Sequence, residues 1–152
     1  MEEQTTRDDK KLRWFWDGLN DYLSRNQMKK TKQREFIVSR FLEMGNHIDA
    51  ETLYDQMRKD GYSFGLATIY RTLNLLRNAG LVNQQIFAEG RAVFELSKPN
   101  THHDHIVCTA CGKIEEFENE EIENLQEMTA KRMGFLLSYH RLDLYGVCKD
   151  CQ

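Results

Sequence analysis

The stretch His102-His103-Asp104-His105-Ile106-Val107-Cys108-Thr109-Ala110-Cys111-Gly112 decides how the chain is read. No other segment of the 152 residues packs so many metal-ligand side chains so closely. Ile106 and Val107 are β-branched and bias the run toward a strand. Side chains of a strand alternate between its faces. His102 and Asp104 then point one way, and His103 and His105 the other. That is the geometry of two separate metal sites back to back. Beyond His105 comes a Cys-x-x-Cys pair, Cys108 and Cys111, and a second pair, Cys148 and Cys151, follows near the end of the sequence. Each pair can chelate one ion from a tight turn, and together they complete a tetrahedron of thiolates. The alternatives are two disulfides or a redox pair. No Trp or Pro flanks either pair, and the sequence shows no signal peptide and no apolar run long enough to span a membrane. Both points favour a reducing, cytoplasmic setting and a structural Zn2+.

Downstream of this stretch, residues 113–117 read as a strand, and residues 120–133 as an amphipathic helix with Ile122, Leu125, Met128 and Met133 inward. Gly134 ends that helix, and residues 135–145 read as a final strand carrying His140. Upstream, residues 97–101 hold the only proline and mark the junction between two halves. The charge is divided in the same way. Residues 1–80 carry 14 Lys and Arg against 12 Asp and Glu, whereas residues 81–152 carry 7 against 12. The net charge of −3 therefore hides a basic first half, with Arg25, Lys29, Lys30, Lys32, Arg34 and Arg40 close together.

In that first half, residues 1–11 are polar and read as frayed. Leu12, Phe15, Trp16, Leu19, Tyr22 and Leu23 then recur at helical spacing. Thr31 is a candidate cap for a helix ending at Gly45-Asn46, and Asp49 for one running to about Lys59. Residues 63–76 read as a third helix of this group, with Ile69, Leu73 and Leu76 on one face, and Gly80 stops it. Two β-prone runs, residues 81–87 and 92–96, flank a turn at Glu89-Gly90. Three helices and a hairpin make a winged helix-turn-helix, whose last helix enters the major groove. On it Arg71 can fork onto guanine, and Tyr70 can pack on a thymine methyl or a phosphate. The fold class is α+β, with a winged helix-turn-helix over residues 1–97, a hinge at 98–101 and a small α/β unit over 102–152.

The segments LATIYRTLNLL (66–76), AVFEL (92–96), HHDHIVCTACGKIEEF (102–117) and HRLDLYGVCKDC (140–151) resemble the ferric uptake regulator (Fur) family of bacterial repressors. They stand in that family's order, and the resemblance covers residues 27–151. It implies a homodimer with a C-terminal dimerisation domain, binding AT-rich inverted repeats in double-stranded DNA when metal-loaded. Carried over position by position, it implies structural zinc on Cys108, Cys111, Cys148 and Cys151. It implies a regulatory site from His47, Glu95, His103, His105 and Glu116, and an additional metal site from His102, Asp104, Glu123 and His140. Tyr70 and Arg71 match the base-reading pair, and Lys29 matches a lysine that reaches the minor groove. Peroxide-sensing members carry aspartate where this chain has Glu95 and Glu116, and zinc-sensing members tend to bring a cysteine into the regulatory site. The resemblance thus implies Fe2+ as co-repressor at iron-uptake genes, with Mn2+, Co2+ or Zn2+ able to substitute in vitro.

Two other classes fit parts of the sequence. A zinc hydrolase needs an open coordination position and a placed general base, and no His-Glu-x-x-His run is present. A zinc-ribbon interaction module without DNA leaves the Tyr70-Arg71 helix and the basic cluster without a role. The expectation is a non-enzymatic regulator.

Overall fold

The computed structural model describes the backbone of residues 2–97 and 102–152 and the side chains of residues 12–97 and 102–152. The chain divides into two compact units, Met1–Lys98 and Pro99–Gln152. The hinge expected at 98–101 lies outside the described residues.

In the first unit, helix α1 spans Glu2–Arg25, α2 Lys32–Met44, α3 Ala50–Lys59 and α4 Leu66–Asn78, followed by strands β1 (Val82–Ile86) and β2 (Ala92–Leu96). The leader expected to fray instead continues α1 back to Glu2. Its Glu, Gln, Lys and Arg residues are good helix formers, so the helix nucleated by the apolar stripe propagates through them. Phe15, Leu19 and Leu23 of that stripe are buried in the unit's core. Gly18 is what allows the approach: a Cβ there would lie 2.9 Å from Leu81 Cδ2. The caps read from the sequence are in place. The Thr31 side chain accepts from Arg34 N–H, and Asp49 accepts from Thr52 N–H. Each such cap stabilises its helix by about 1 kcal/mol. Ile69, Leu73 and Leu76 of α4 are fully buried against Ile37, Val38 and Phe41 of α2 and Leu53 and Met57 of α3. This apolar face fixes α4 and leaves Tyr70 and Arg71 outside. Strands β1 and β2 pair antiparallel, Val82 opposite Leu96, around the turn at Gly90 (φ 76°).

One connection was not legible as structure. His47-Ile48, between the helix end at Gly45-Asn46 and the Asp49 cap, forms a β-bridge from Ile48 to Phe94 of β2. Both backbone bonds are made, Ile48 N–H to Phe94 O at 3.0 Å and Phe94 N–H to Ile48 O at 2.9 Å. His47 takes a left-handed conformation, φ 61°, just after Gly45 at φ 96°. The helix end, the reversal and the bridge together hold His47 beside β2, the second strand of the wing.

In the second unit, β3 (Asp104–Cys108) lies between β4 (Ile114–Phe117) and β5 (Asp143–Gly146), with α5 (Glu120–Arg132) preceding β5. β3 pairs antiparallel with β4 and parallel with β5. The parallel pair needs a crossover, and α5 lies within it. Asn119 caps α5 by accepting from Glu121 and Ile122 N–H, and Gly134 (φ 81°) ends it.

Two expectations change here. The final strand covers only Asp143–Gly146, where β3 supplies its hydrogen bonds. Leu142 O still accepts from His105 N–H of β3 at 3.2 Å, but residues 135–141 have no strand partner among the described residues, so their β-propensity is unused, and His140 stands outside the strand. The α5 side chains expected inward are not buried: Leu125 is 60%, Met128 57% and Met133 69% exposed. Ile122 is half-buried. The helix forms where its periodicity predicts, but most of its apolar face has no cover among the described residues.

Candidate metal centres and DNA-reading helix

The four cysteines come together at one end of β3. Each offers a sulfur within 4.8 Å of the others, and all four are free thiols. Cys111 Sγ and Cys148 Sγ are 3.9 Å apart. A disulfide requires about 2.05 Å. A tetrahedral zinc with Zn–S of about 2.3 Å places its sulfurs about 3.8 Å apart, so the spacing is that of a metal site. Cys108 Sγ accepts N–H groups from Cys148 at 3.3 Å and Cys111 at 3.5 Å. These backbone donors hold its pKa down to about 6. Cys151 is pushed up to about 12, first by hydrogen bonding with Cys148 and Cys111. Four crowded sulfurs cannot all ionise alone, and a divalent cation is what removes the conflict.

The strand register builds the other clusters. His105 on β3 faces Glu116 on β4 and Asp143 on β5. Lateral neighbours in a sheet project to the same face. His103 precedes the strand with the same parity, its ring 5.0 Å from that of His105 and its Nε2 3.6 Å from Glu116 Oε1. On the opposite parity, His102 and Asp104 meet Glu123 of α5 and His140, with one donor atom from each within 4.8 Å of the rest. His140 Nε2 lies 3.3 Å from Glu123 Oε1 and 3.6 Å from Asp104 Oδ1, and the His102 and His140 rings are 4.3 Å apart. Asp104 is 1% exposed, and neither of its carboxylate oxygens has a hydrogen-bond partner among the described residues. A buried carboxylate in that state is costly unless a cation meets it. Two imidazoles and two carboxylates around that oxygen fit a divalent ion with mixed nitrogen and oxygen preference.

In the first unit, His47 Nε2 and Glu95 Oε2 are 2.9 Å apart, and both side chains are under 10% exposed. The other Glu95 oxygen accepts from Gln85 Nε2 at 2.9 Å. Gln85 was missed in the sequence. It lies diagonal to Glu95 across the hairpin, and only the register reveals it. Asp143 was missed too, although its 3.6 Å approach to His105 Nδ1 and its 2.6 Å bond from Arg141 Nε place it against a candidate ligand. An acid at the start of a short, largely exposed edge strand was the available signal.

On α4, the Tyr70 hydroxyl donates to Glu51 Oε1 of α3 at 2.6 Å. Arg71 folds back onto Ala67 O and Thr68 Oγ1. A cleft of about 570 Å³ opens beside it, lined by Arg34, Arg71, Thr68 and Asn74 among others. The basic cluster is partly committed. Arg25 pairs with Asp21, Arg34 donates to Lys29 O, and Arg40 joins Asp60 and Glu43. Lys29, Lys30 and Lys32 are exposed.

A winged helix followed by a unit holding a thiolate cluster and nitrogen–oxygen clusters defines a class: winged-helix proteins with a metal-binding second unit. The model of the Ferric uptake regulator family matches residues 25–145. The ferric uptake regulation protein of Campylobacter jejuni is 43% identical over 132 residues, which is 85% of this chain and 83% of that protein. The Helicobacter pylori regulator Fur, whose structure is described as revealing three functional metal binding sites, superposes with a TM-score of 0.81 at 31% identity, over 92% of this chain and 93% of that one. The Francisella tularensis regulator, solved with iron, gives 0.72 at 32% identity over 82% and 94%. The chain belongs to the ferric uptake regulator family, whose members are metal-dependent transcriptional repressors.

Proposed function

We propose that the chain represses iron-uptake genes with Fe2+ as co-repressor, and that its three metal-ligand groups divide the work. The observation that carries this is the separation of one all-thiolate cluster from donors of nitrogen and oxygen. Thiolates suit Zn2+, and imidazole with carboxylate suits Fe2+. Cys108, Cys111, Cys148 and Cys151 hold the structural Zn2+ and tie the start of β4 to the end of the chain beyond β5. His102, Asp104, Glu123 and His140 form the additional site, linking β3 to α5. His47 and Glu95, with His103, His105 and Glu116, act as the regulatory donors. The family resemblance assigns these five to one ion, and the supporting geometry lies within each unit: the His47–Glu95 pair in one, the His103–Glu116 approach in the other. When bound, the ion supplies the positive charge that all five donors share. Donors from both units would then bias the wing and the second unit toward the arrangement that binds DNA.

Helix α4 enters the major groove, with Arg71 on guanine and Tyr70 on thymine, and Lys29 reaches the minor groove. The operator is an AT-rich inverted repeat read by a homodimer. The exposed apolar side chains of α5 and of residues 135–139, Leu136 at 99% among them, support a self-complementary surface. Among the described residues no helix is long and apolar enough to cross a membrane, in keeping with a cytoplasmic site of action. The test is electrophoretic mobility of an AT-rich inverted-repeat duplex with zinc-loaded protein under anaerobic conditions. Binding that appears with Fe2+ and is reversed by chelation is expected, and equal binding with and without Fe2+ contradicts the proposal.

A further inference from the structure

We propose that Glu51 is the residue that positions Tyr70 for base reading, holding its ring, and not its hydroxyl, toward DNA. This rests on the reading of Tyr70 and Arg71 as base-contacting residues. Tyr70 is 37% exposed on α4, and an exposed tyrosine ordinarily gives its hydroxyl to water. Here the hydroxyl donates to Glu51 Oε1, which lies in the first turn of α3, at 2.6 Å. A bond of that length from a hydroxyl to a carboxylate is of the strong, charge-assisted kind. It spans nineteen positions of sequence and joins the two helices of the helix-turn-helix. The Tyr70 hydroxyl is correspondingly held above its usual pKa, first by the bond to Glu51.

The bond decides between the two contacts open to a tyrosine on a reading helix. A phosphate contact needs the hydroxyl proton, and Glu51 already takes it. A phosphate brought to the same place would also meet the Glu51 carboxylate, and like charges repel. The ring remains. Its apolar surface is matched in the major groove by the thymine methyl, the apolar group among the base-edge signals. A carboxylate on this face weakens sequence-independent attraction to phosphates. Glu51 therefore trades general affinity for discrimination.

The test uses full-length, Mn2+-loaded protein and two duplexes. One is the sequence selected by this protein from a random pool. The other is the same duplex with every thymine replaced by deoxyuridine, which deletes only the methyl groups. Wild type should bind the deoxyuridine duplex about 3- to 10-fold more weakly. Glu51→Ala should bring that ratio to about one, losing the thymine-methyl contribution while removal of the carboxylate charge raises affinity for both duplexes by a common factor. Glu51→Gln keeps an acceptor for the hydroxyl and should keep the ratio. Tyr70→Phe retains the ring without the hydroxyl and should show the same thymine-to-deoxyuridine ratio as Glu51→Ala, with no further change of that ratio in the double variant. That variant carries the test if Glu51→Ala fails to fold by circular dichroism. A wild-type ratio near one, an unchanged ratio in Glu51→Ala, or additive losses overturn the proposal. Arg71→Ala is the separate arm. If it retains full preference for the selected duplex over a shuffled one, the base-reading assignment itself is wrong. If it loses preference while Glu51→Ala does not, only the role of Glu51 fails.

Discussion

Cys108 Sγ accepts two backbone N–H groups, from Cys111 and Cys148. Its turn is therefore shaped for a thiolate, and an ion held by the four proposed ligands would tie the β3–β4 turn to the segment after β5. Cys108→Ser should give protein without stoichiometric zinc that aggregates or runs as a monomer, measured by metal analysis and gel filtration. A folded, dimeric, metal-responsive Cys108→Ser protein would remove the structural role. Tyr70 offers a second single-residue test. Its bond to Glu51 favours the neutral phenol, so its folded pKa is raised. The stabilisation is fully present below the unfolded value of about 10 and is lost as pH rises through the folded pKa. Ultraviolet or NMR titration should find Tyr70 ionising late, and Glu51→Ala should return it toward the ordinary tyrosine range. No change in Glu51→Ala would show that the bond does not form in solution. At this scale the sequence was informative wherever chemistry and spacing coincide, as in the Cys-x-x-Cys pairs. It was silent on Gln85, Asp143 and Glu51, because their partners are set by strand register and helix packing rather than by local spacing.

Among elements, β3 supplies one residue to each cluster: Asp104, His105 and Cys108. Its two-residue period sorts His102 and Asp104 from His103 and His105, and the observed clusters keep that division although the first two histidines precede the strand. The helices of the first unit were also legible, since Thr31, Asp49 and Gly80 mark their ends and the buried faces keep helical spacing. The C-terminal elements were less so. An apolar face on α5 reads the same whether it meets its own chain or another, and residues 135–141 have strand propensity without a strand to pair with among the described residues. Leu125, 60% exposed on α5, belongs to the surface proposed for dimerisation. Leu125→Arg should raise the dimer dissociation constant by about tenfold or more, with circular dichroism and zinc content unchanged. Sedimentation that still shows a wild-type dimer would place the interface elsewhere.

For the whole molecule, the account separates a zinc that holds the second unit from an ion that controls DNA binding. His103 stands on one side of that division. It approaches Glu116 and His105 and takes no part in the thiolate cluster. The most direct measurement is therefore an anaerobic Fe2+ titration of operator binding by His103→Ala beside wild type, with zinc content and oligomeric state recorded for both. The account predicts one zinc per chain and a dimer in each, with Fe2+ raising operator affinity at least about tenfold for wild type, on the scale of known coupling energies, and leaving His103→Ala unresponsive. A His103→Ala protein that Fe2+ activates as fully as wild type would contradict it.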